Sequence, residues 1–427
     1  MIDKQTIRDI DIKGKKVLLR TDYNVPISNG QITDDYRIMQ SLDTIHYLLS
    51  QNCKIIICSH LGRPDGQVNS DLSLFPVAKR LHDLLGKKVE FVPDCIGEQV
   101  IKAAEKIEDG QVLLLENLRF HPEEEENDDD FAKQLALLAD IFVQDAFGVV
   151  HRAHASTVAI TRHLPAVAGF LLEKEVDTIT QTTHDPKRPL MAIIGGAKIA
   201  DKLDILKRFI EIADITVVGG AMANTFLAAE GIPIGDSFYD KNDLPLARDI
   251  ISAAKRESTK RQFVFSLPFD GVVASNNDPT KPTRIVDWSA HAIADIENYP
   301  KKPPHQSSHI HANEKILDIG PFSGAFIAGA IQLSNTVIWN GTMGVTETPA
   351  LQGGIGPYSH GTDLVIQGLT GDMGHKPYTV VGGGDTVGYI ESRKLVDHFD
   401  LVSTGGGASL ELMSGHKLPG VESLRNK

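Results

Sequence analysis

The sequence predicts an α/β protein built from two doubly wound, parallel-sheet domains. The chain has 427 residues, and at about 150 residues per domain this length indicates two or three domains. Short runs rich in Val, Ile and Leu alternate with amphipathic windows along nearly the whole chain. The runs are continuously apolar, which is typical of strands covered by helices on both faces. Strand and helix in alternation predict βαβ units with right-handed crossovers.

The predicted elements fall into two halves that differ in the loops after their strands. In the first half the predicted strands are 17–20, 54–59, 89–92, 112–117 and 141–146. In the second half they are 190–196, 215–220, 263–266, 315–320, 336–341, 378–384 and 401–407. Amphipathic windows at 37–50, 73–85 and 200–212 predict helices between them. Polar and charged loops follow the strands of the first half, whereas glycine pairs and triplets follow those of the second. We therefore place one domain at 1–170, a helix and Pro-bounded linker at 171–189, and a second domain at 190–404.

Composition excludes several classes of protein. Lysine and arginine minus aspartate and glutamate give 43 − 56 = −13, which argues against nonspecific binding to nucleic acid or anionic lipid. No stretch approaches the roughly 20 apolar residues of a membrane span. The polar N-terminal segment lacks the apolar core of a secretory signal, so we expect a cytoplasmic protein. Cys53, Cys58 and Cys95 are too few for a disulfide framework, and we expect reduced, buried thiols.

Basic side chains follow the strands of the first half. They are Arg37, His60, Arg63, Arg119 and Arg152. A single arginine in such a loop is more often a surface residue or part of a structural ion pair. Several at equivalent strand ends predict a site for a small anion, because guanidinium groups bind phosphate and carboxylate with two hydrogen bonds. Asp22 and Asn24, after the first strand, could hold hydroxyl groups.

For other polar residues of the first half, the sequence favours a structural role or leaves the choice open. His60 could bond a phosphate or cap a loop, and we expect structural roles for His121, His151 and His154. The acidic run 123–130 predicts a solvated loop that leads into a helix N-terminus.

Six glycine-rich loops follow strands of the second half. They are 195–198, 219–226, 320–326, 339–344, 382–387 and 403–409. Glycine lets a phosphate approach the backbone, and a helix N-terminus offers free N–H groups. One such loop is often only a tight turn, but six on one sheet predict a nucleotide site. The sequence has no Walker motif, and no GxGxxG follows the first strand, so a nicotinamide cofactor is disfavoured.

Charged residues beside these loops could serve the nucleotide. Lys198 and Lys202 are four residues apart, which predicts two ammonium groups on one face of a helix. Asp385 follows three glycines and is either a helix N-cap or a magnesium ligand. Glu347 could accept hydrogen bonds from ribose hydroxyls.

Together these motifs resemble the phosphoglycerate kinase family. The resemblance rests on RTDYNVP, ITDDYRI, SHLGRPDG, ENLRFHPEEE, DAFGVVHRAHAS, GGAKIADKL, GGAMANTF, LDIGP, WNGTMGV, GGGDTV and STGGGASLE, in family order from residue 20 to about 412. It implies two Rossmann-like lobes separated by a hinge cleft, the first for phosphoglycerate and the second for Mg-nucleotide. It also implies that segment 405–427 packs back on the first lobe and that the protein is a monomer. The implied reaction is reversible phosphoryl transfer between 1,3-bisphosphoglycerate with ADP and 3-phosphoglycerate with ATP, in glycolysis and gluconeogenesis.

The resemblance also implies roles for individual residues. Those implied to bind the phosphoglycerate are Asp22, Tyr23, Asn24, Arg37, His60, Leu61, Gly62, Arg63, Arg119 and Arg152. Those implied to bind the nucleotide are Lys202, Gly219, Gly220, Glu347, Gly383, Gly384, Asp385 and Thr386, with Asp385 on Mg²⁺. Those implied to stabilise the transferring group are Arg37, Lys198, Gly405, Gly406 and Gly407.

Two other functions are compatible with the same architecture. One is a kinase for a different small carboxylate, which would require changes in Asp22, Asn24 or the arginines. The other is a non-catalytic nucleotide-binding descendant, against which the intact lysines, Asp385 and glycine triplets argue. Segments 276–313 and 351–376 depart from the family pattern. The first includes the stretch PPHQSSHIHANE with His305, His309 and His311, and we expect that stretch to be a solvent loop rather than a metal site.

Overall fold

The computed structural model describes residues 2–289, 306–307, 309–351 and 353–427. The chain divides into two units, which are described separately. Unit 1 contains the residues up to Thr180 together with Gly407–Leu412 and His416–Lys427. Unit 2 contains Gln181–Gly406 and Met413–Gly415.

Unit 1 is built on a six-stranded parallel sheet. Its strands, with a small hairpin, are β1 (Lys16–Arg20), β2 (Ile27–Ser28), β3 (Gln31–Ile32), β4 (Lys54–Cys58), β5 (Val89–Val92), β6 (Val112–Leu115), β7 (Ile141–Gln144) and β8 (Ala166–Ala168). Its helices are α1 (Tyr36–Gln40), α2 (Leu42–Ser50), α3 (Phe75–Leu85), α4 (Glu98–Lys106), α5 (Asp129–Ala136) and α6 (Phe170–His184). The strand order is β5-β6-β4-β1-β7-β8, all parallel, and β2 and β3 pair separately.

The apolar runs explain the central strands of this sheet. All residues of β6 and β7 are buried, as expected for strands covered on both faces. Helix ends carry recognisable signals: the Asp128 side chain accepts a hydrogen bond from the Phe131 N–H at the start of α5, and Gly86 ends α3 in the left-handed conformation. The boundary between the units falls inside α6, between Thr180 and Gln181.

Unit 2 contains a second six-stranded parallel sheet and a smaller sheet. Its strands are β9 (Leu190–Ile194), β10 (Ile215–Val218), β11 (Val264–Ser266), β12 (Asp270–Ala274), β13 (Arg284–Asp287), β14 (Gln306–Ser307), β15 (Lys315–Ile319), β16 (Thr336–Asn340), β17 (Tyr378–Gly382) and β18 (Leu401–Val402). Its helices are α7 (Leu203–Ile212), α8 (Gly220–Ala229), α9 (Leu244–Ser258), α10 (Pro321–Gln332), α11 (His360–Thr370) and α12 (Gly384–Ser392).

The order of the parallel sheet is β11-β10-β9-β16-β17-β18, the doubly wound arrangement in which strand order reverses between β9 and β16. This reversal places a crevice at the carboxyl ends of those two strands. The prediction of two doubly wound parallel-sheet domains is therefore confirmed.

One part of the glycine-loop prediction is wrong. The loop 320–326 follows β15, which lies in the separate sheet β14-β13-β12-β15, where β12 pairs antiparallel with β13 and β15. The apolar run of β15 resembles those of the parallel strands, and the pattern alone does not identify its partner. Segment 276–313 contains β13, a strand that the sequence patterns did not predict. His305 lies outside the described residues, while His309 and His311 are exposed.

The end of the chain packs within unit 1. After α13 (Gly406–Met413), the chain forms α14 (Pro419–Glu422). The Gly420 N–H donates to the Val150 carbonyl at 2.8 Å, and the Lys427 N–H donates to the Asp3 carbonyl at 2.9 Å. These backbone contacts join the C-terminal segment to the first residues of the chain and to the loop after β7.

The structure also shows the state of the cysteines and the character of the helices. Cys53, Cys58 and Cys95 are buried free thiols, as predicted. Among the residues with described positions, no helix combines the length and apolar character that a membrane crossing requires.

Candidate active site

The basic residues of unit 1 lie at one edge of its parallel sheet. His60 follows β4, Arg119 lies in a 3-10 turn just after β6, and Arg152 lies in the loop after β7. Because parallel strands end at the same edge, these loops are neighbours. Arg37 joins them from α1.

A continuous series of polar contacts links these loops. The Arg37 guanidinium contacts the buried Asp22 carboxylate at 2.5 Å. The Asn24 N–H donates to Asp22 at 3.1 Å, and the Asn24 side-chain oxygen accepts from the Gly62 N–H at 2.9 Å. The Gly62 carbonyl in turn accepts from Arg119 at 2.8 Å. Residues from four separate segments of the sequence are thereby brought into one cluster.

The cluster is strongly electropositive at its centre. Burial, and then the nearby charges of Arg20, Arg119 and Arg37, hold the pKa of His60 well below its usual value. His60 is therefore neutral near pH 7 and acts as a hydrogen-bonding group. Burial also lowers the pKa of Arg119, although the Glu125 carboxylate, 3.2 Å from its Nε, opposes the shift; the charges of Arg20 and Arg152 lower the pKa further. Cations crowded in this way favour an anionic ligand.

His154 and His151 belong to the same positive region. Burial and the charges of Arg20 and Arg119 lower the pKa of His154 to about 3. His151 has a lowered pKa for related reasons, burial first and Arg152 next, and its Nε2 lies 3.2 Å from the Arg152 Nε. Both imidazoles are neutral at physiological pH, so they do not add to the local positive charge.

A buried ion pair connects the end of β1 to the acidic run that follows Arg119. Arg20, at the end of β1, and Glu124 are both fully buried, with 3.7 Å between Nη2 and Oε1. Arg20 donates to the Ser156 hydroxyl at 2.8 Å, and Glu124 accepts from the Ser156 N–H at 2.9 Å. The prediction of a wholly solvated acidic loop at 123–130 is therefore wrong at Glu124. The signal that the sequence offered was Arg20, a charge inside a buried strand, since such charges are almost always paired.

Three predicted site residues take different positions. Tyr23 is fully buried, and its hydroxyl lies 2.9 Å from the Ser41 hydroxyl. Leu61 is also a core side chain. Their backbone N–H groups are also paired inside the unit, that of Tyr23 with the Ser59 hydroxyl at 2.9 Å and that of Leu61 with the Asn117 side chain at 3.2 Å. Arg63 is exposed in the same loop as Gly62, and no contact within the described residues ties it to the other cations.

The glycine-rich loops of unit 2 surround a cavity of about 180 Å³. This is several times the roughly 30 Å³ that one water molecule occupies. Its lining includes Gly196, Gly220, Trp288, Asp318, Glu347 and Asp385. Several predicted nucleotide-binding residues thus share one concave surface at the carboxyl ends of the strands.

The crevice between β9 and β16 depends on two glycines. A Cβ on Gly195 would lie 2.1 Å from the Thr342 carbonyl oxygen, and one on Gly341 would lie 2.1 Å from the Gly195 carbonyl oxygen. Backbone atoms cannot move away as a flexible side chain could, so only glycine fits at either position. The Gly341 N–H donates to the Thr386 hydroxyl at 2.8 Å, which joins this crevice to the first turn of α12.

The two lysines do not lie on one helix face. A 3-10 turn occupies Ala200–Lys202 and α7 begins at Leu203, so Lys198 precedes the helix and that prediction is wrong. Lys198 is exposed, with Asp240 at 3.9 Å. Lys202 donates to the Asn340 side chain at the end of β16. Burial lowers the pKa of Lys202 to about 8, although the carboxylates of Asp385 and Asp201 oppose the shift.

The remaining predicted glycines mark helix starts. Gly219 is the N-cap of α8 and Gly383 that of α12, while α13 begins at Gly406. At the start of α8 the Gly220 N–H donates to the Met343 carbonyl at 3.2 Å and the Met222 N–H donates to the Gly196 carbonyl at 2.8 Å. A helix start such as that of α12 can offer N–H groups to an anion. Gly384 is exposed in the first turn of α12, and Gly405 donates to the Ser403 hydroxyl at 3.2 Å.

Gly407 belongs to unit 1, whereas Gly405 and Gly406 belong to unit 2, so the unit boundary crosses the triplet.

Asp385 has the chemistry of a magnesium ligand. It lies in the first turn of α12 and not at its N-cap, and its exposed carboxylate lines the cavity. Mg²⁺ is commonly held by one or two carboxylates together with substrate phosphates and water. An exposed carboxylate on the lining of a cavity beside glycine-rich loops fits that pattern.

Sequence reasoning missed three residues in or beside the unit 2 cavity. Asn340 is the partner of Lys202, Asp318 accepts hydrogen bonds from the N–H groups of Ile319 and Gly361, and Trp288 lines the wall. Burial raises the pKa of Asp318 to about 7. Asn340 ends a predicted strand and could have been found, whereas Trp288 belongs to a segment whose strand was not predicted.

Comparisons with known proteins agree over nearly the full chain. A family model described as phosphoglycerate kinase matches residues 7–416. The phosphoglycerate kinase of Moorella thermoacetica is 44% identical over 99% of this chain and 100% of that protein. The solved phosphoglycerate kinase structure from Coxiella burnetii has a TM-score of 0.81 and 33% identity, covering 98% of both chains. That from Pyrococcus horikoshii has a TM-score of 0.80 and 27% identity over the same shares.

Full-length relatives at this identity, together with the family model, show the family of the chain. The chain belongs to the phosphoglycerate kinase family of enzymes.

Proposed function

We propose that the protein catalyses reversible, Mg²⁺-dependent phosphoryl transfer between 1,3-bisphosphoglycerate with ADP and 3-phosphoglycerate with ATP, as a step of glycolysis and gluconeogenesis. The observation that carries the proposal is that the groups gathered in each unit suit one of the two substrates. Unit 1 gathers Arg37, Arg119 and neutral His60 at one sheet edge. Unit 2 offers glycine-lined helix starts and Lys202 around a cavity.

In unit 1 the cluster would bind 3-phosphoglycerate. Guanidinium groups of Arg119 and Arg152 suit a phosphate, because each can donate two parallel hydrogen bonds. Asp22, held by Arg37, can accept from the substrate hydroxyl. Asn24 and Gly62, which bond each other, would position the loop that carries Arg63.

In unit 2 the cavity would bind the nucleotide. Lys202 and the N–H groups at the start of α12 would contact its phosphates. Glu347, exposed at the rim, would accept from the ribose hydroxyls. Asp385 would hold Mg²⁺, which neutralises phosphate charge when bound with the nucleotide.

Transfer itself requires little covalent chemistry from the protein. The acceptor carboxylate must be aligned with the terminal phosphorus, and the charge on the equatorial oxygens must be neutralised. Arg37, Lys198 and the N–H groups of Gly405 to Gly407 would supply donors for that charge. Since the two substrates bind to different units, the units must close on each other before transfer, and closure would expel water.

A coupled assay tests the proposal directly. With 3-phosphoglycerate, Mg²⁺ and ATP we expect ADP formation that depends on all three components. ADP formation that does not respond to 3-phosphoglycerate would indicate another acceptor. Nucleotide binding without any transfer would indicate a non-catalytic descendant, and either result would contradict the proposal.

A further inference from the structure

A group of metal-ligating side chains lies outside the site described above. Asp94 and Cys95 follow β5, and His121 follows the 3-10 turn after β6. One ligand atom from each of the three lies within 4.8 Å of those of the other two. β5 and β6 are neighbouring parallel strands, so their carboxyl-end loops meet at the edge of unit 1.

The three side chains are already oriented toward each other. The His121 Nε2 lies 2.8 Å from the Asp94 Oδ1. The Cys95 N–H donates to the same carboxylate at 2.7 Å, and the Glu116 N–H donates to the Asp94 carbonyl at 3.3 Å. These bonds hold the two loops together without a bound ion. Binding of a metal ion would therefore require changes in these side chains, while the two loops already lie next to each other.

The distances allow a tetrahedral ion. Zinc binds sulfur at about 2.3 Å and nitrogen or oxygen at about 2.0–2.2 Å, which places ligand atoms roughly 3.3–3.8 Å apart. The ligand atoms of the three residues lie within 4.8 Å of one another. To reach that range, the His121 Nε2 and Asp94 Oδ1, now 2.8 Å apart, would have to separate slightly. Cys95 is fully buried, whereas the side chains of His121 and Asp94 are 27% and 46% exposed. The group therefore has a buried sulfur at its base and an opening to solvent.

We propose that Asp94, Cys95 and His121 form a binding site for a divalent transition-metal ion of the zinc class, with water completing the coordination. Thiolate and imidazole ligands favour zinc and cobalt over magnesium and calcium, which prefer oxygen donors alone. The site is therefore distinct in chemistry from the proposed magnesium ligand Asp385. His121 is two residues from Arg119, so a bound ion would restrain the loop that carries that arginine.

Cobalt provides the sharpest test, because a cobalt–thiolate bond has a characteristic near-ultraviolet charge-transfer absorption. The full-length protein, freed of metal by a chelator, is titrated with Co²⁺ and then with Zn²⁺ as competitor. We expect one equivalent of Co²⁺ to produce the band and Zn²⁺ to remove it. Cys95→Ser should abolish the band, and His121→Gln should weaken Co²⁺ binding by at least tenfold. Cys53→Ser, which changes another buried thiol of unit 1, should leave the titration unchanged.

Asp94→Asn is a second test in case the Cys95→Ser variant, which changes a buried side chain, does not fold. Asp94 is partly exposed, so this substitution should leave the circular dichroism spectrum intact and still weaken Co²⁺ binding. Absence of the band in the unmodified protein would overturn the proposal. A band of equal strength in Cys95→Ser, or equal affinity in Asp94→Asn, would overturn it as well. None of these readouts depends on kinase activity.

Discussion

Arg20 and Glu124 are fully buried in unit 1 and meet across the Ser156 hydroxyl, to which both are hydrogen-bonded. Arg20 ends β1, Glu124 lies in the acidic run after Arg119, and Ser156 follows Arg152 in the chain. The three residues therefore connect the loops that carry Arg119 and Arg152. Glu124 accepts from both the N–H and the hydroxyl of Ser156, so its charge is well satisfied despite burial.

Glu124→Ala should destabilise the protein by about 3–5 kcal/mol, because it leaves Arg20 charged and uncompensated in the interior. The measurement is the midpoint of urea unfolding. Glu126→Ala changes an exposed glutamate of the same run and should alter stability by no more than about 0.5 kcal/mol. Equal midpoints for the two variants would contradict a structural role for the ion pair.

Lys202 leads to a prediction about pH. Its pKa of about 8 in the free protein means that the ammonium group is present below that pH and is lost as the pH rises through it. If Lys202 contacts nucleotide phosphates, ADP affinity should fall by about tenfold between about pH 7.5 and 9.5, since a lost charged hydrogen bond costs about 1.5–3 kcal/mol. Calorimetric titration with ADP across this range measures it.

Arginine at the same position keeps its charge throughout, so Lys202→Arg should remove the decline. Lys207→Arg, at an exposed position of α7 in the same unit, should retain it. A decline that persists in Lys202→Arg would assign the titration to another group.

At the scale of elements, the sequence patterns predicted the parallel strands well, because continuous apolar runs have few alternatives to a covered strand. They failed where a strand is short or interrupted by polar residues, as in β8, β12 and β13. They also failed to assign β15 to its sheet, since hydrophobicity specifies burial and not partner. Lys198 was misplaced because a 3-10 turn intervenes before α7. The site residues on strand-end loops were predictable, whereas Arg20, Glu124 and Asn340 act through contacts that are distant in sequence.

Glycine substitutions test the crevice between β9 and β16. Gly341→Ala would force a Cβ against the Gly195 carbonyl and should destabilise the protein by about 1–3 kcal/mol or more. Gly329→Ala is the matched control, because that glycine is exposed inside α10 with open space around it. There we expect a gain of roughly 0.5–1 kcal/mol. Thermal unfolding of both variants measures these effects, and a stable Gly341→Ala protein would contradict the close backbone approach.

At the scale of the whole molecule, each of the two units contains its own six-stranded parallel sheet, but the units differ in the chemistry of their loops. Unit 1 presents guanidinium and imidazole groups, and unit 2 presents glycine-rich helix starts. We propose a division of labour that corresponds to this difference, in which unit 1 binds the carboxylate substrate and unit 2 binds the nucleotide. A substitution in one binding site should therefore leave equilibrium binding at the other nearly unchanged, while transfer requires both.

The most direct test of this division is Arg37→Ala, with turnover and ADP affinity measured on the same preparation. Loss of one charge-stabilising donor typically lowers turnover by about 10²–10³. We therefore expect turnover to fall at least that far while the dissociation constant for ADP stays within about twofold. Arg162→Ala, an exposed arginine of unit 1 paired with Asp129, should change neither quantity. Near-normal turnover in Arg37→Ala, or a large loss of ADP affinity, would contradict the account.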